Sequence, residues 1–270
     1  MFERRRLLWA AVVPLFAVAQ GLARPVASPM DAGSEATSGT ALRIAAAADL
    51  QPLLPSILSR FEHATGVRAE ASYKSSATLA TEILNGAPFD LFMAADLSFP
   101  QRVIEGGRAR EAAPVPYARG TLVLWTRNDS GVRDLAVDRL TDSAIHTIAI
   151  ANPEHAPYGR AAQATLEHLR VLDVLRPKLV TAENIAQAAQ YADSGNAQVG
   201  FISLTSALTP RLRGDGHFVR VAAEDYPPIL QGAVIVRASA GAAEAQRFLD
   251  FLRTPEIAHT LAAEGLEPIR

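Results

Sequence analysis

The stretch Leu42-Arg43-Ile44-Ala45-Ala46-Ala47-Ala48-Asp49-Leu50-Gln51-Pro52-Leu53-Leu54-Pro55-Ser56-Ile57-Leu58 decides the fold class. Leu42 to Ala47 is a short apolar run of the kind that fills a buried parallel strand. The apolar period then changes. Leu50, Leu53, Leu54, Ile57, Leu58 and Phe61 recur at i, i+3, i+4, i+7, i+8 and i+11, which is one face of a helix. Pro52 and Pro55 fall in its first turns, where proline is best tolerated. Asp49 precedes the helix as a candidate N-cap, and Gly66 lies past its end. A strand that feeds a helix through a small polar turn is the unit of an α/β fold.

The same grammar continues along the chain. Val67, Ala69, Ala71 and Tyr73 alternate with polar residues as a second strand, and Ser75-Ser76 opens a helix carrying Leu79, Ile83 and Leu84. Asp90 to Ala94 reads as a third strand, with Asp96 a candidate cap for the next helix. Thr121–Thr126, Thr147–Ala151, Val199–Ile202 and Gly232–Val236 are further strands. Helices are expected from near Tyr158 through Leu169, from Ile185 to Ser194 after Asn184, and over Ala240–Leu252 and Pro255–Glu264.

Composition bounds the function. With 26 Lys and Arg against 28 Asp and Glu, the chain has no basic excess to hold nucleic acid. The absence of cysteine excludes thiol catalysis, disulfides, cysteine-ligated zinc and a cysteine lipid anchor. Arg4-Arg5-Arg6, the apolar run Leu7–Ala19 and the small residues around Ala17, Ala19 and Ala23 have the layout of a cleavable secretory signal, expected over 1–23. The run is short for a membrane span of ~20 residues. Residues 24–40, rich in Ser, Ala, Pro and Gly, are expected to form a flexible mature N-terminus.

Catalytic signatures are missing: no G-x-S-x-G, no P-loop, no G-x-G-x-x-G, and six scattered histidines without metal-ligand spacing. Glu154-His155 and Asp96 are the only hints of acid–base chemistry. Strand-to-helix junctions stand out instead, at Ala47-Ala48-Asp49, Ser75-Ser76, Ala156-Pro157-Tyr158-Gly159 and Glu183-Asn184-Ile185. Helix starts present unpaired N–H groups and partial positive charge, so several converging on one point bind an anion without a formal cation. Each one alone is an ordinary cap.

Five ordered motifs carry a resemblance: Ile44–Leu50; Ser75–Ala80; Asn85-Gly86-Ala87-Pro88-Phe89-Asp90-Leu91-Phe92 with Ala94-Ala95-Asp96; Ala151-Asn152-Pro153-Glu154-His155-Ala156-Pro157-Tyr158-Gly159; and Ala182–Ile185. In order and spacing, over Leu42 to Arg270, the chain resembles the periplasmic molybdate-binding proteins of ABC importers. The resemblance implies a two-lobed periplasmic solute-binding fold of type II with two crossover strands as hinge, near Pro116–Leu122 and Tyr226–Gly232. Lobe 1 is then 41–119 with 231–270, and lobe 2 is 120–230. The implied function is capture of molybdate or tungstate in the interlobe cleft and delivery to an ABC permease in the inner membrane. The protein would act as a periplasmic monomer, without enzymatic activity, cofactor or metal-cation ligands.

The resemblance places oxyanion contacts at Asp49, Ser76, Tyr158 and Ile185, with Ala48, Ala95 and Ser203 as secondary positions. Members differ in where a tyrosine hydroxyl is supplied, and Tyr158 is preferred here over Ser203. Familiar members carry Ser or Asn where this chain has Asp49. Three readings stand: Asp49 caps its helix with the side chain turned away, Lys74 neutralises it, or the ligand differs. Capping is preferred. The rival functions are capture of another anion, such as sulfate, chromate or an organic acid, and an exported hydrolase using Glu154, His155 or Asp96.

Overall fold

The structure, a computed structural model, describes residues 41–269. The expected signal segment and flexible N-terminus lie outside the described residues. Strands β1 (Leu42–Ala47), β2 (Ala69–Lys74), β3 (Leu91–Ala94) and β4 (Val115–Gly120) begin one sheet. After the single residue Thr121 the chain enters a second sheet of β5 (Leu122–Arg127), β6 (Ile148–Ala151), β7 (Leu179–Ala182), β8 (Val199–Ser203) and β9 (Gly216–Arg220). It then returns to the first sheet as β10 (Ile229–Ile235) and β11 (Glu267–Pro268). The strand orders are β11-β4-β10-β3-β1-β2 and β7-β6-β8-β5-β9. β1 runs parallel to β2 and β3, and β6 parallel to β7 and β8, while β10, β11 and β5 are the antiparallel members. The two crossings between sheets make the molecule two-lobed.

Helices cover the faces, as the apolar parallel strands require. α1 (Leu54–Thr65), with α2 (Ser76–Leu84) and α3 (Ser98–Glu105), serves the first sheet. α4 (Pro157–His168), α5 (Leu172–Leu175), α6 (Ile185–Asp193), α7 (Leu204–Ala207) and α8 (Pro210–Asp215) belong with the second. α9 (Ala242–Leu252) and α10 (Pro255–Ala263) pack back on the first, where Phe61 meets Phe248 edge-on at 5.1 Å. The helical face read from Leu53, Leu54, Ile57, Leu58 and Phe61 is buried, each of these residues at most 7% exposed.

The start of α1 differs from expectation. Ala48–Leu50 forms a 3-10 turn, and α1 begins only at Leu54, with Leu53 at its N-cap position and Pro55 in its first turn. Pro55 has no N–H to give to a helix begun at Leu50, so the chain turns first and winds only where Pro55 falls in the first turn. Asp49 therefore caps nothing. Its side chain is free to reach elsewhere, and it does.

Candidate functional site

Parallel strands of an open sheet aim their carboxyl ends at the ligand crevice. β1 ends at Ala47, β3 at Ala94, β6 at Ala151 and β7 at Ala182, and the segments just past these ends, with the Lys74–Ser76 turn after β2, surround one small cavity. The first lobe supplies Ala47, Ala48, Asp49, Lys74, Ser75, Ser76 and Ala95, and the second Ala156, Pro157, Tyr158, Asn184 and Ile185. The room inside it is about 10 Å³, far below the ~300–1,000 Å³ of pockets that take drug-sized molecules.

Local hydrogen bonds take some of the free donors at the helix starts, which identifies the ones left over. In α2, Thr78 N–H goes to the Ser75 hydroxyl at 3.2 Å and Ala77 N–H crosses to the carbonyl of His155 at 3.2 Å. Ser76 N–H remains, at the first helical position. The Ser76 hydroxyl oxygen accepts the N–H of Ala95 at 3.1 Å, so its proton is directed to another acceptor. In α6, Asn184 caps the N–H of Gln187 at 3.0 Å, leaving the N–H groups of Ile185 and Ala186, of which Ile185 lines the cavity. In α4 the first helical residue is Pro157, which has no N–H, so Tyr158 contributes the first one. Three helix starts thus face the cavity with at least one unspent backbone donor each. Among its lining side chains the single cation is Lys74, held by Glu82 at 2.5 Å.

Asp49 is fully buried but does not meet Lys74. Its Oδ2 accepts Gln231 Nε2–H at 2.5 Å and the Tyr158 hydroxyl at 3.2 Å. Thr205 donates to its carbonyl at 2.7 Å. Burial pushes the Asp49 carboxyl up to about 6, against the opposing pull of the Gln231 and Tyr158 hydrogen bonds. The Tyr158 hydroxyl is raised well above its usual range, first by burial and then by the Asp49 charge, and so stays a donor. This hydroxyl is committed to Asp49 and is wedged against Gly120, where a Cβ would come within 2.2 Å of it. The Tyr158 hydroxyl is thus engaged by Asp49, and its backbone N–H is the donor of this residue left without a partner.

The remaining expected positions divide. Ala48 lines the cavity, and Ala95 does so while its N–H holds Ser76. Ser203 is not brought to the cavity; it caps α7, accepting the N–H of Ser206 at 3.2 Å. Glu154 and His155 are exposed, and the His155 ring faces Asn152 at 3.3 Å. Asp96 accepts the N–H of Phe99 at 3.1 Å and pairs across the cleft with Arg160, whose guanidinium also lies over the Phe99 ring.

That last pair ties the lobes at the rim. Arg160 is about two-fifths exposed, so the pair is worth about 0.2–1 kcal/mol. Arg160→Ala is expected to speed dissociation of a bound anion by roughly two- to fivefold. Stopped-flow release should show this difference shrinking at high salt; equal rates at low salt would contradict it.

Residues 42–267 match the family described as bacterial extracellular solute-binding proteins. The chain belongs to this family. The solute-binding protein is 37% identical over 205 residues to the molybdate-binding protein ModA of Rhodobacter capsulatus, covering 76% of this chain and 79% of that one. Its fold superposes on the periplasmic molybdate-binding protein of Azotobacter vinelandii with a TM-score of 0.78 at 31% identity, covering 83% of this chain and 98% of the other. The sulfate-binding protein SubI of Mycobacterium tuberculosis shares the fold, with a TM-score of 0.71 at 16% identity, covering 85% and 87%.

Gln231, Thr205 and Arg160 escaped the sequence reading. Gln231 left one trace, a lone amide inside the apolar strand Ile229–Ile235, where a polar residue needs a buried partner.

Proposed function

We propose that this solute-binding protein captures molybdate in the cavity between its lobes and delivers it to an ABC permease. The observation that carries the reading is the convergence of three helix starts with unspent N–H groups, and of the Ser76 hydroxyl, on one small cavity lined by both lobes. Such a donor set neutralises an oxyanion by dipoles and hydrogen bonds. Protein atoms then meet the oxygens of the ion, not its metal centre. Tungstate, of nearly the same size and charge, fits the same set. The similarity to molybdate-binding relatives selects this class over sulfate and organic acids. No bond is made or broken in capture. Segments 41–119 with 231–270 and 120–230 are taken as the two bodies that close on the ligand about the crossings at Gly120–Leu122 and Arg220–Ile229. The protein would work as a monomer outside the inner membrane.

Calorimetric titration of the mature protein against molybdate, tungstate, sulfate, chromate and phosphate tests the reading. Stoichiometric molybdate binding far tighter than sulfate supports it; preference for sulfate or an organic acid overturns it. Ser76→Ala should weaken molybdate binding roughly tenfold to a hundredfold, the worth of a charged hydrogen bond of ~1.5–3 kcal/mol. It should also lower the melting temperature slightly, because the buried N–H of Ala95 loses its acceptor. Unchanged affinity would displace the site.

A further inference from the structure

Behind the cavity wall, the carboxyl of Asp49 sits among neutral groups. Gln231 of β10 and the Tyr158 hydroxyl of α4 contact it directly. Thr205 of α7 holds its carbonyl oxygen. Tyr117 of β4 directs its hydroxyl to the carbonyl of Ala94, and Tyr226 accepts the N–H of Leu122. Lys74 of β2, on the same cavity, is engaged by Glu82. Two buried side-chain atoms lack hydrogen-bond partners among the described residues: Asp49 Oδ1 and Gln231 Oε1. Both are acceptors if the carboxyl is ionised. They belong to two groups that already meet through the Nε2–H···Oδ2 bond.

A carboxylic acid and a primary amide pair head to head. The amide N–H goes to one carboxyl oxygen, and the acid O–H goes to the amide oxygen. The two unpartnered atoms are the two ends of that second bond, and one proton satisfies both. We propose that Asp49 and Gln231 form a proton-binding site, and that capture of a dianion in the adjacent cavity takes up one proton from solvent, carried on Asp49 Oδ1 and donated to Gln231 Oε1. The proposal rests on the anion reading above. Its balance is simple: dianion, carboxylate and one proton give the complex with a neutral acid, and no covalent bond other than O–H forms.

The driving force is the repulsion between a dianion and a carboxylate that share a water-poor wall. A buried group in that position neutralises rather than stay charged. Burial already raises Asp49 to about 6, and an arriving dianion raises it further. The sign follows from linkage. Above pH ~6 the free protein has lost the proton and the complex holds it, so affinity falls with rising pH, by up to tenfold per unit. Below pH ~6 the proton is already in place and the dependence fades. The departure from Ser or Asn at this position thus becomes a neutral wall with a hydrogen-bond network of its own.

The test is calorimetric titration with sodium molybdate at about pH 7.5 in two buffers of different ionisation enthalpy, where the slope of observed heat gives protons taken up. The expected result is close to one proton per molybdate in the wild type and a slope near zero in Asp49→Asn, whose affinity should also stop depending on pH. Molybdate bound with no net proton, or uptake that survives in Asp49→Asn, overturns the proposal. Carboxyl ¹³C NMR of the ligand-free protein gives a second, independent reading. A midpoint for Asp49 near 6 is expected, and one at about 4, the ordinary carboxylate value, overturns it. Absence of heat with molybdate would count against the anion reading instead, and the NMR midpoint would then decide the acid–amide pair alone.

Discussion

Gly159→Ala is expected to remove most of the oxyanion affinity and to lower the melting temperature on the order of 5 °C. Gly159 lies in the first turn of α4, where the helix passes the end of β6. A Cβ there would stand 2.3 Å from the carbonyl oxygen of Ala151, 2.8 Å from its carbon and 2.9 Å from the carbonyl carbon of Asn152. All three are backbone atoms of the strand end and its turn, so no side chain can swing aside. The helix must lift from the sheet. Overpacking of this kind costs about 1–3 kcal/mol, and the better helix propensity of alanine returns at most about 1 kcal/mol. The effect on binding is larger than on stability, because the helix start that lifts is the one presenting the N–H of Tyr158. Gly214→Ala is the control. It lies in α8, and nothing stands within 4 Å of the added Cβ. The two variants should be melted and titrated with molybdate side by side. A Gly159→Ala protein that binds and melts like Gly214→Ala would show that α4 is not held against β6 as described.

The contrast between these glycines bears on what the sequence discloses. Strands and helices were legible where side-chain period reports burial, as in Leu42–Ala47 and the Leu53–Phe61 face. The helix starts at Ser76 and Ile185 were legible because a cap is a local bond, spanning three residues in Ser75 to Thr78 and Asn184 to Gln187. The role of Asp49 was not. Its partners Tyr158, Thr205 and Gln231 lie 109, 156 and 182 residues away, and no periodicity encodes that meeting. Local reasoning made Asp49 a cap because it stands before an apolar helical face. Pro55 keeps that helix from starting before Leu54, and the freed carboxyl turns into the junction of the lobes. Tyr158 shows a subtler gap. The residue is at the cavity, but which of its two donors faces the ligand depends on the tertiary contact of its hydroxyl with Asp49 and Gly120.

Proline at position 185 separates a backbone contribution from a side-chain one. Ile185 is the first residue of α6, where proline is well tolerated because that N–H has no intrahelical partner and the ring presets a helical φ. The preceding Asn184 is extended, φ −147° and ψ 176°, a conformation compatible with a following proline. Its cap bond to Gln187 N–H does not involve residue 185. Ile185→Pro therefore deletes one donor aimed at the cavity and little else of the helix. A hydrogen bond to a charged group is worth ~1.5–3 kcal/mol, so molybdate affinity should fall roughly tenfold to a hundredfold, at ~1.4 kcal/mol per factor of ten. The side chain also matters, since Ile185 is 4% exposed and packs in the second lobe's core. Ile185→Val isolates that part. It keeps the N–H, removes one methylene at a cost of about 0.5–1.5 kcal/mol of stability, and should leave the affinity within about threefold. The reading is the ratio of the two dissociation constants beside the two melting temperatures. A proline variant that binds molybdate as tightly as the valine variant would mean that the N–H of Ile185 does not meet the ion.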